Sequence, residues 1–84
     1  MASMQIIVKL FARARDLAGT DRVVLELPTG GRVADLKETL SAKFPQLSPM
    51  MPSLLVAVGN DYAQGDTVVA PQAEVACFPP VSGG

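Results

Sequence analysis

Only one segment of this chain has the apolar spacing of a long amphipathic helix, and this limits the folds available to it. Between residues 33 and 44 apolar side chains recur at steps of three and four positions, which places them on one side of a helix. This stripe consists of Val33, Leu36, Leu40, Phe44 and Leu47. Pro45 predicts the end of the helix, because a proline disfavours the α conformation of the residue before it. The remaining apolar residues must therefore form the layer that this helix covers.

The other apolar segments are short, and most of them alternate with polar residues as strands do. The predicted strands cover residues 5–12, 22–27, 53–58, a short edge strand within 62–70, and 74–78. In the first strand we expect Ala12 to share the inward face. The nearly continuous apolar run 53–58 predicts a strand buried on both faces. Residues 12–18 contain good helix formers before Gly19 and predict a connecting turn or short helix, whereas residues 49–52 predict a loop.

One helix and one sheet form the smallest two-layer stack that buries both apolar surfaces. The first and last strands are the most apolar, so we expect them side by side at the centre of the sheet. This order of elements predicts an α+β fold of the β-grasp, or ubiquitin-like, type, with a mixed sheet of about four to five strands and one main helix on one face. We expect residues 1–78 to form this domain and residues 79–84 to form an extended tail.

Composition narrows the classes of function. A chain of 84 residues makes one small domain. Its hydrophobic fraction of 49% and charged fraction of 18% favour a folded globule over disorder. The net charge of −1 provides no basic surface for nucleic acid. No apolar run approaches the ~20 residues of a membrane span. We therefore expect neither a nucleic acid nor a membrane as a partner.

The side chains of this sequence offer little catalytic chemistry. The absence of histidine excludes Ser-His-Asp and Cys-His catalysis, and with one cysteine it leaves no zinc site. We expect Cys77, in the middle of the last strand, to be a small buried apolar residue, and a single cysteine fits a reducing cytoplasm. The sequence thus predicts no bound metal or cofactor and no catalysis by the chain alone.

The last residues of the chain carry the strongest functional signal. A strand is followed directly by Pro79, Pro80, Val81, Ser82, Gly83 and Gly84. The two prolines fix φ and stiffen the stem, and two glycines can enter a channel too narrow for any side chain. This pattern indicates that the α-carboxylate of Gly84 is the reactive group, and that the tail presents it to another protein.

These features resemble a known family, the small subunit of molybdopterin synthase, a ubiquitin-like sulfur carrier. The resemblance rests on residues 10–19, on Val33-Ala34-Asp35-Leu36 at the start of the helix, on residues 56–58 with Asn60, on 74–76, and on 78–84. Two positions depart from the family pattern. Gln72-Ala73 stand where the family has Gly-Asp, and Gly59 intervenes before Asn60. Because alanine tolerates a positive φ poorly, we expect the loop at Ala73 to differ in shape.

The resemblance implies a sulfur donor. A ubiquitin-activating-like enzyme would use ATP to adenylate Gly84, and sulfur would then replace AMP to leave a C-terminal thiocarboxylate. The tail would enter the large subunit of molybdopterin synthase, in a heterotetramer of two small and two large subunits. There it would give its sulfur to cyclic pyranopterin monophosphate.

Four residues are predicted to contact a partner. Alternation places Phe78 opposite Val75 and Cys77, on the face where the tail leaves, and aromatic residues are enriched in interfaces. Phe11 and Tyr62 are expected on the same face, away from the helix. The resemblance adds Arg15 at the edge of this surface. The other arginines, Arg13, Arg22 and Arg32, are expected to be solvated.

The residues alone leave three other functions open. A ubiquitin-like protein modifier would use Gly84 in isopeptide bonds, after the same activation. A sulfur carrier of thiamine synthesis also ends in Gly-Gly, although it typically lacks the Phe-Pro-Pro stem. A β-grasp binding module would leave the tail inert.

Overall fold

Two helices and a 3₁₀ segment cover one face of a five-stranded sheet. The computed structural model describes residues 2–80. In chain order the elements are β1 (Ser3–Leu10), α1 (Ala12–Ala18), β2 (Arg22–Pro28), α2 (Val33–Lys43), the 3₁₀ segment (Pro45–Ser53), β3 (Leu55–Val58), β4 (Asp61–Ala63) and β5 (Val75–Phe78). No helix in this part of the chain is long and apolar enough to cross a membrane.

The sheet has the strand order β2-β1-β5-β3-β4. Strands β1 and β5 are parallel, with Val8 opposite Val75 and Leu10 opposite Cys77. The other neighbouring strands are antiparallel. The prediction that the first and last strands lie side by side is confirmed, and the mixed sheet with one main helix confirms the β-grasp fold.

The core lies between the sheet and α2. Alternate residues of β1 and β2 are buried in it, namely Ile6, Val8 and Leu10 from β1 and Val23, Leu25 and Leu27 from β2. The predicted helical stripe faces them, with Val33, Leu36, Leu40 and Leu47 buried and Phe44 partly buried. Burying each large aliphatic side chain contributes about 1.5–3 kcal/mol, so this single layer supplies most of the favourable free energy of folding.

The N-terminus of α2 is closed by the chain itself. The Arg32 N–H donates to Asp35 Oδ2 at 2.8 Å. The Val33 and Ala34 N–H groups donate at 2.9 Å to carbonyl oxygens of residues 65–67. Since these groups have no partner within a helix, the contacts anchor the loop after β4 to the start of α2.

The first strand begins and ends two residues earlier than predicted. It ends at Leu10, and Ala12 begins α1 with an exposed side chain and a φ of +53°. The expectation that Ala12 continues the inward face was wrong, because Phe11 is still extended and the chain leaves the extended conformation at Ala12. Helix α1 itself ends as predicted, at Gly19 in the left-handed conformation.

Two predictions in the middle of the chain were also wrong. Strand β3 begins at Leu55, whose side chain is 40% exposed, so the strand is not buried on both faces. The helical layer covers only one face of the sheet, and Leu55 points to the other. Residues 49–52 belong to the 3₁₀ segment rather than to an irregular loop, since the fixed φ of proline suits a 3₁₀ turn.

The loop before β5 contains a positive φ at one of the two residues, Gln72-Ala73, that depart from the family pattern. Gln72 has a φ of +66°, and Ala73 does not. A non-glycine residue in this region is uncommon. The Ala73 N–H donates to the Ala70 carbonyl at 3.1 Å, which closes the turn around Gln72.

Candidate functional site

The side chains of the last strand alternate between the core and the uncovered face of the sheet. In β5 the side chains of Val75 and Cys77 are buried, whereas Ala76 and Phe78 point to the opposite face and are half-buried. This is the alternation that the sequence predicts for Phe78. Phe78 is therefore the last strand residue before the tail, and it lies outside the core.

Phe11 and Phe78 form one stack. Their ring centroids are 4.9 Å apart and their planes differ by 13°. The backbone holds this pair in place, because the Phe11 N–H donates to the Cys77 carbonyl at 3.2 Å. Phe11 remains 40% exposed. The stack thus joins the turn after β1 to the end of β5, and one side of it remains open to a partner.

Tyr62 completes an aromatic surface around the point where the tail leaves. Its ring meets Phe78 edge-on, with centroids 6.5 Å apart and an interplanar angle of 65°. Its side chain is 74% exposed. Leu55 lies opposite Phe78 in the β3–β5 pairing. We call Phe11, Leu55, Tyr62 and Phe78 the aromatic patch.

Arg15 lies beside this patch rather than within it. It is exposed in the last turn of α1, and its backbone N–H donates to the Phe11 carbonyl at 3.4 Å. Its guanidinium Nε is 3.8 Å from Asp16 Oδ1, a contact between two exposed groups that contributes little stability. Arg15 and Phe11 together line a small depression of about 250 Å³. The structure therefore brings all four predicted contact residues to one region.

The stem of the tail lies next to α1 and the 3₁₀ segment. Pro79 and Pro80 line a groove of about 490 Å³ with Arg13, Leu17 and Met50 among its other residues. The predicted tail residues Val81, Ser82, Gly83 and Gly84, and with them the predicted reactive carboxylate, lie outside the described residues. The structure does describe the aromatic patch and the two prolines that follow it.

The described residues hold no obvious catalytic group. Burial raises the pKa of the Cys77 thiol to about 12, and Lys37 opposes this shift only in part. A protonated, buried thiol is a poor nucleophile. Within residues 2–80 there is also no group of three or more histidine, cysteine or acidic residues that could hold a metal ion.

Sequence reasoning missed Leu55 as part of this surface. The run Leu54-Leu55-Val56 is apolar throughout, so alternation cannot tell which residue faces outward. The signal that could have found it is the pairing with Phe78, which requires the strand order. The register then places Leu55 and Phe78 on the same face.

The comparisons with known proteins agree with this geometry. The sequence profile of the ThiS family matches residues 8–84. A molybdopterin synthase sulfur carrier subunit from Arabidopsis thaliana is 35% identical over 83 residues, which cover 99% of this chain and 86% of that protein. A Chlamydomonas reinhardtii protein of the same name is also 35% identical, over 96% of this chain and all of that protein.

Solved structures show the same fold. A protein from Pyrococcus furiosus proposed to be molybdopterin converting factor, subunit 1, superimposes with a TM-score of 0.83 at 32% identity, over 93% of this chain and 99% of that one. Small archaeal modifier protein 1 from Haloferax volcanii superimposes with a TM-score of 0.84 at 26% identity, over the same shares of the two chains. The match to the family profile and the near full-length relatives together show that this chain belongs to the ThiS family and, within it, to the molybdopterin synthase sulfur carrier subunits.

Proposed function

We propose that this chain carries sulfur as a thiocarboxylate on Gly84 and gives it to cyclic pyranopterin monophosphate within molybdopterin synthase. The observation that carries the proposal is the position of Phe78. It is both the last residue of the central strand β5 and the middle of an exposed aromatic patch. A partner that docks on this patch necessarily lies where the Gly-Gly tail begins.

The tail is suited to reach a site inside that partner. The six residues from Pro79 to Gly84 span at most ~20 Å when extended. Pro79 and Pro80 reduce the conformational freedom of the stem before binding, so less entropy is lost when the tail becomes ordered. The two glycines at the end allow the reactive carbon to pass through a narrow opening.

The chemistry begins with activation. A carboxylate is a poor electrophile, so an activating enzyme uses ATP to form an acyl-adenylate on Gly84 with release of pyrophosphate. A sulfur nucleophile then attacks the acyl carbon, AMP leaves, and a thiocarboxylate remains. Inside the large subunit the thiocarboxylate sulfur bonds to the pterin precursor, and hydrolysis returns the carboxylate of Gly84.

The proposal assigns the catalytic groups to the partners. This chain has no histidine, and its cysteine is buried and protonated. Its role is to hold sulfur covalently and to bring it to a high effective concentration at the acceptor. We infer two partners, the adenylating enzyme and the large subunit, the latter in a complex of two small and two large subunits. In this proposal both interactions take place in the cytoplasm. The chain itself needs no bound cofactor.

A protein modifier is the second candidate. It is favoured by the likeness to small archaeal modifier protein 1, whose name describes modification. In that function the acyl-adenylate of Gly84 would pass to lysine amines instead of to sulfur. The two candidates share the activation step and differ in the acceptor.

Intact-protein mass spectrometry separates them. The purified chain is incubated with the activating enzyme, ATP and a sulfur donor, with a reaction lacking ATP as the control. A sulfur carrier gains the mass difference of one sulfur replacing one oxygen, whereas a modifier gives conjugates of higher mass with lysine-bearing proteins. Deleting Gly84 should abolish the product and leave the thermal midpoint unchanged. A deletion variant that still supports molybdopterin formation would disprove the proposal.

A further inference from the structure

Two cations face each other on the same side of the sheet as the aromatic patch. Lys9 of β1 lies directly opposite Arg22 of β2 in the antiparallel register, and both side chains are exposed. Like charges directly opposite one another destabilise a strand pair. Within residues 2–80 neither side chain forms a salt bridge or a hydrogen bond. The domain therefore holds a pair of like charges to which no described residue is joined by a salt bridge.

An apolar depression adjoins this pair. Ile7 and Val24, also opposite each other, are 49% and 47% exposed. Together with Lys9, Arg22 and the 72–75 segment they line a depression of about 530 Å³. The depression is large enough to seat side chains of a partner, and the two cations stand at its border.

Two acidic residues lie near the pair without forming a salt bridge to it. Asp21 and Glu74 line the two depressions beside Lys9 and Arg22, but the one salt bridge among the described residues joins Arg15 to Asp16. Lys9 and Arg22 therefore remain available to pair with a carboxylate-bearing surface.

The pair is continuous with the aromatic patch. Lys9 precedes Phe11 by two residues on the same face of the chain, and it pairs with Ala76, two residues before Phe78. Neighbouring strands are about 4.8 Å apart, which places Arg22 on β2 only about 10 Å from the line of β5. A standard interface covers ~800 Å² on each protein, equivalent to a disc about 30 Å across. A protein centred on the aromatic patch must then also cover Lys9 and Arg22.

We propose that Lys9 and Arg22 form a recognition site for acidic side chains of the molybdopterin synthase large subunit, an inference that rests on the proposed function. Aspartate or glutamate carboxylates of the large subunit lie against the two cations, and an aliphatic side chain beside them enters the Ile7–Val24 depression. Without such carboxylates, docking would remove two cations from water with no compensation. The pair therefore selects the partner and accelerates its approach, at a small expense in stability of the free domain.

The test uses two double variants that remove the same charge. Lys9→Gln/Arg22→Gln neutralises the pair, whereas Arg32→Gln/Lys43→Gln removes two exposed cations from the two ends of α2. Binding of each to the purified large subunit is followed by stopped flow or surface plasmon resonance at low and at physiological salt. We expect the first variant to bind about tenfold or more weakly, mainly through slower association, and with a flatter dependence on salt. The control variant should stay within about twofold of wild type at each salt concentration.

The thermal midpoint and the oligomeric state of wild type and of Lys9→Gln/Arg22→Gln are measured in the same experiment. Because the substitution relieves like-charge repulsion, Lys9→Gln/Arg22→Gln should have a thermal midpoint at least equal to that of wild type, and a lowered midpoint would show an internal role and overturn the inference. If Lys9→Gln/Arg22→Gln keeps the affinity and salt dependence of wild type while Phe78→Ala still weakens binding, the inference about the two cations is overturned. The proposed docking on the aromatic patch is then unaffected. If neither Lys9→Gln/Arg22→Gln nor Phe78→Ala changes the binding, the large subunit does not dock on this face, and the proposed docking surface is disproved as well. A wild-type homodimer that becomes monomeric on Lys9→Gln/Arg22→Gln would assign the site to a second copy of the chain and also overturn the inference.

Discussion

The rings of Phe11 and Phe78 stack with centroids 4.9 Å apart, and this contact ties the start of α1 to the end of β5. The two residues are 67 positions apart in sequence but lie at the same end of the parallel β1–β5 pair. The tail begins immediately after this stack. The point from which the tail starts is therefore fixed next to an aromatic contact on the open face of the sheet.

Replacing Phe78 by alanine should weaken binding to the large subunit by about tenfold or more. Truncating a central aromatic residue of an interface typically costs 2 kcal/mol or more, and ~1.4 kcal/mol is a factor of ten. The stability loss should be smaller than for an aromatic residue of the core, because Phe78 is half-buried. Titration calorimetry with the large subunit measures the first effect, and thermal unfolding measures the second.

Val68→Ala is the matched control for this prediction. Val68 is 52% exposed, and it pairs with Arg32 at the start of α2, away from the patch. Its truncation should leave the affinity unchanged. If Phe78→Ala instead leaves the affinity unchanged while the thermal midpoint falls sharply, Phe78 is a structural residue and the patch is not the docking surface.

Ala12→Gly should stabilise the protein. Ala12 has a φ of +53°, a conformation that costs an L-residue about 1–2 kcal/mol. Glycine removes this strain but adds about 0.5–1 kcal/mol of backbone entropy to lose on folding, so a net gain of about 0.5–1 kcal/mol is expected. The measurement is urea unfolding with a common slope.

Ala42→Gly supplies the comparison for that substitution. Ala42 is exposed in α2, and its φ is not positive. The same change there should destabilise by about 1 kcal/mol. Equal losses at both positions would mean that Ala12 is not strained in solution.

The position of the first strand beside the last could be predicted from the sequence more reliably than the strand ends. The alternation in β1 and β2 and the helical stripe each define a buried face, and a two-layer stack brings these faces together. The point at which the first strand ends was predicted less well, because Ala12 is a favourable residue both for a helix and for the inward face of a strand and was placed in both elements. The outward direction of Leu55 depends on its pairing with Phe78, a long-range contact that no local pattern encodes.

Part of the candidate site could be predicted from the alternation of side chains along a strand, as the core could. Phe78 alternates with the buried Val75 and Cys77, so its direction follows from local geometry alone. The Lys9–Arg22 pair was not recognised, since an exposed arginine in a strand indicates only solvation. Its meaning depends on the register of β1 and β2, which places the two cations opposite each other.

The buried thiol of Cys77 should make stability fall at alkaline pH. Burial raises its pKa in the folded protein from 9.0 to about 12. The folded state therefore retains a proton that the unfolded state loses, and this contribution is complete below pH 9 and disappears as the pH approaches 12. Between pH 8 and pH 10.5 the loss should be about 2 kcal/mol, since one pKa unit corresponds to about 1.36 kcal/mol.

Cys77→Ala isolates this effect. The variant is less stable at every pH, because it leaves a small cavity, but its stability should fall less than that of wild type between pH 8 and pH 10.5. Urea unfolding at the two pH values gives the difference. Parallel curves for the two proteins, or rapid alkylation of Cys77 in the folded protein at pH 8, would show that the thiol is accessible and ionises normally.

The last prediction is that the chain is consumed stoichiometrically and has no turnover of its own. It has no histidine, and its one cysteine is buried in β5, so it has no described group that could regenerate a thiocarboxylate. The dithiolene of molybdopterin contains two sulfurs, and each charged chain delivers one. Two charged chains should therefore be spent for each molybdopterin formed. The measurement is a single-turnover reaction of thiocarboxylated protein with the large subunit and the cyclic precursor, in the absence of ATP and activating enzyme. Product well above half of the carrier supplied would show that the chain recharges itself or acts catalytically, and the carrier mechanism would then have to be abandoned.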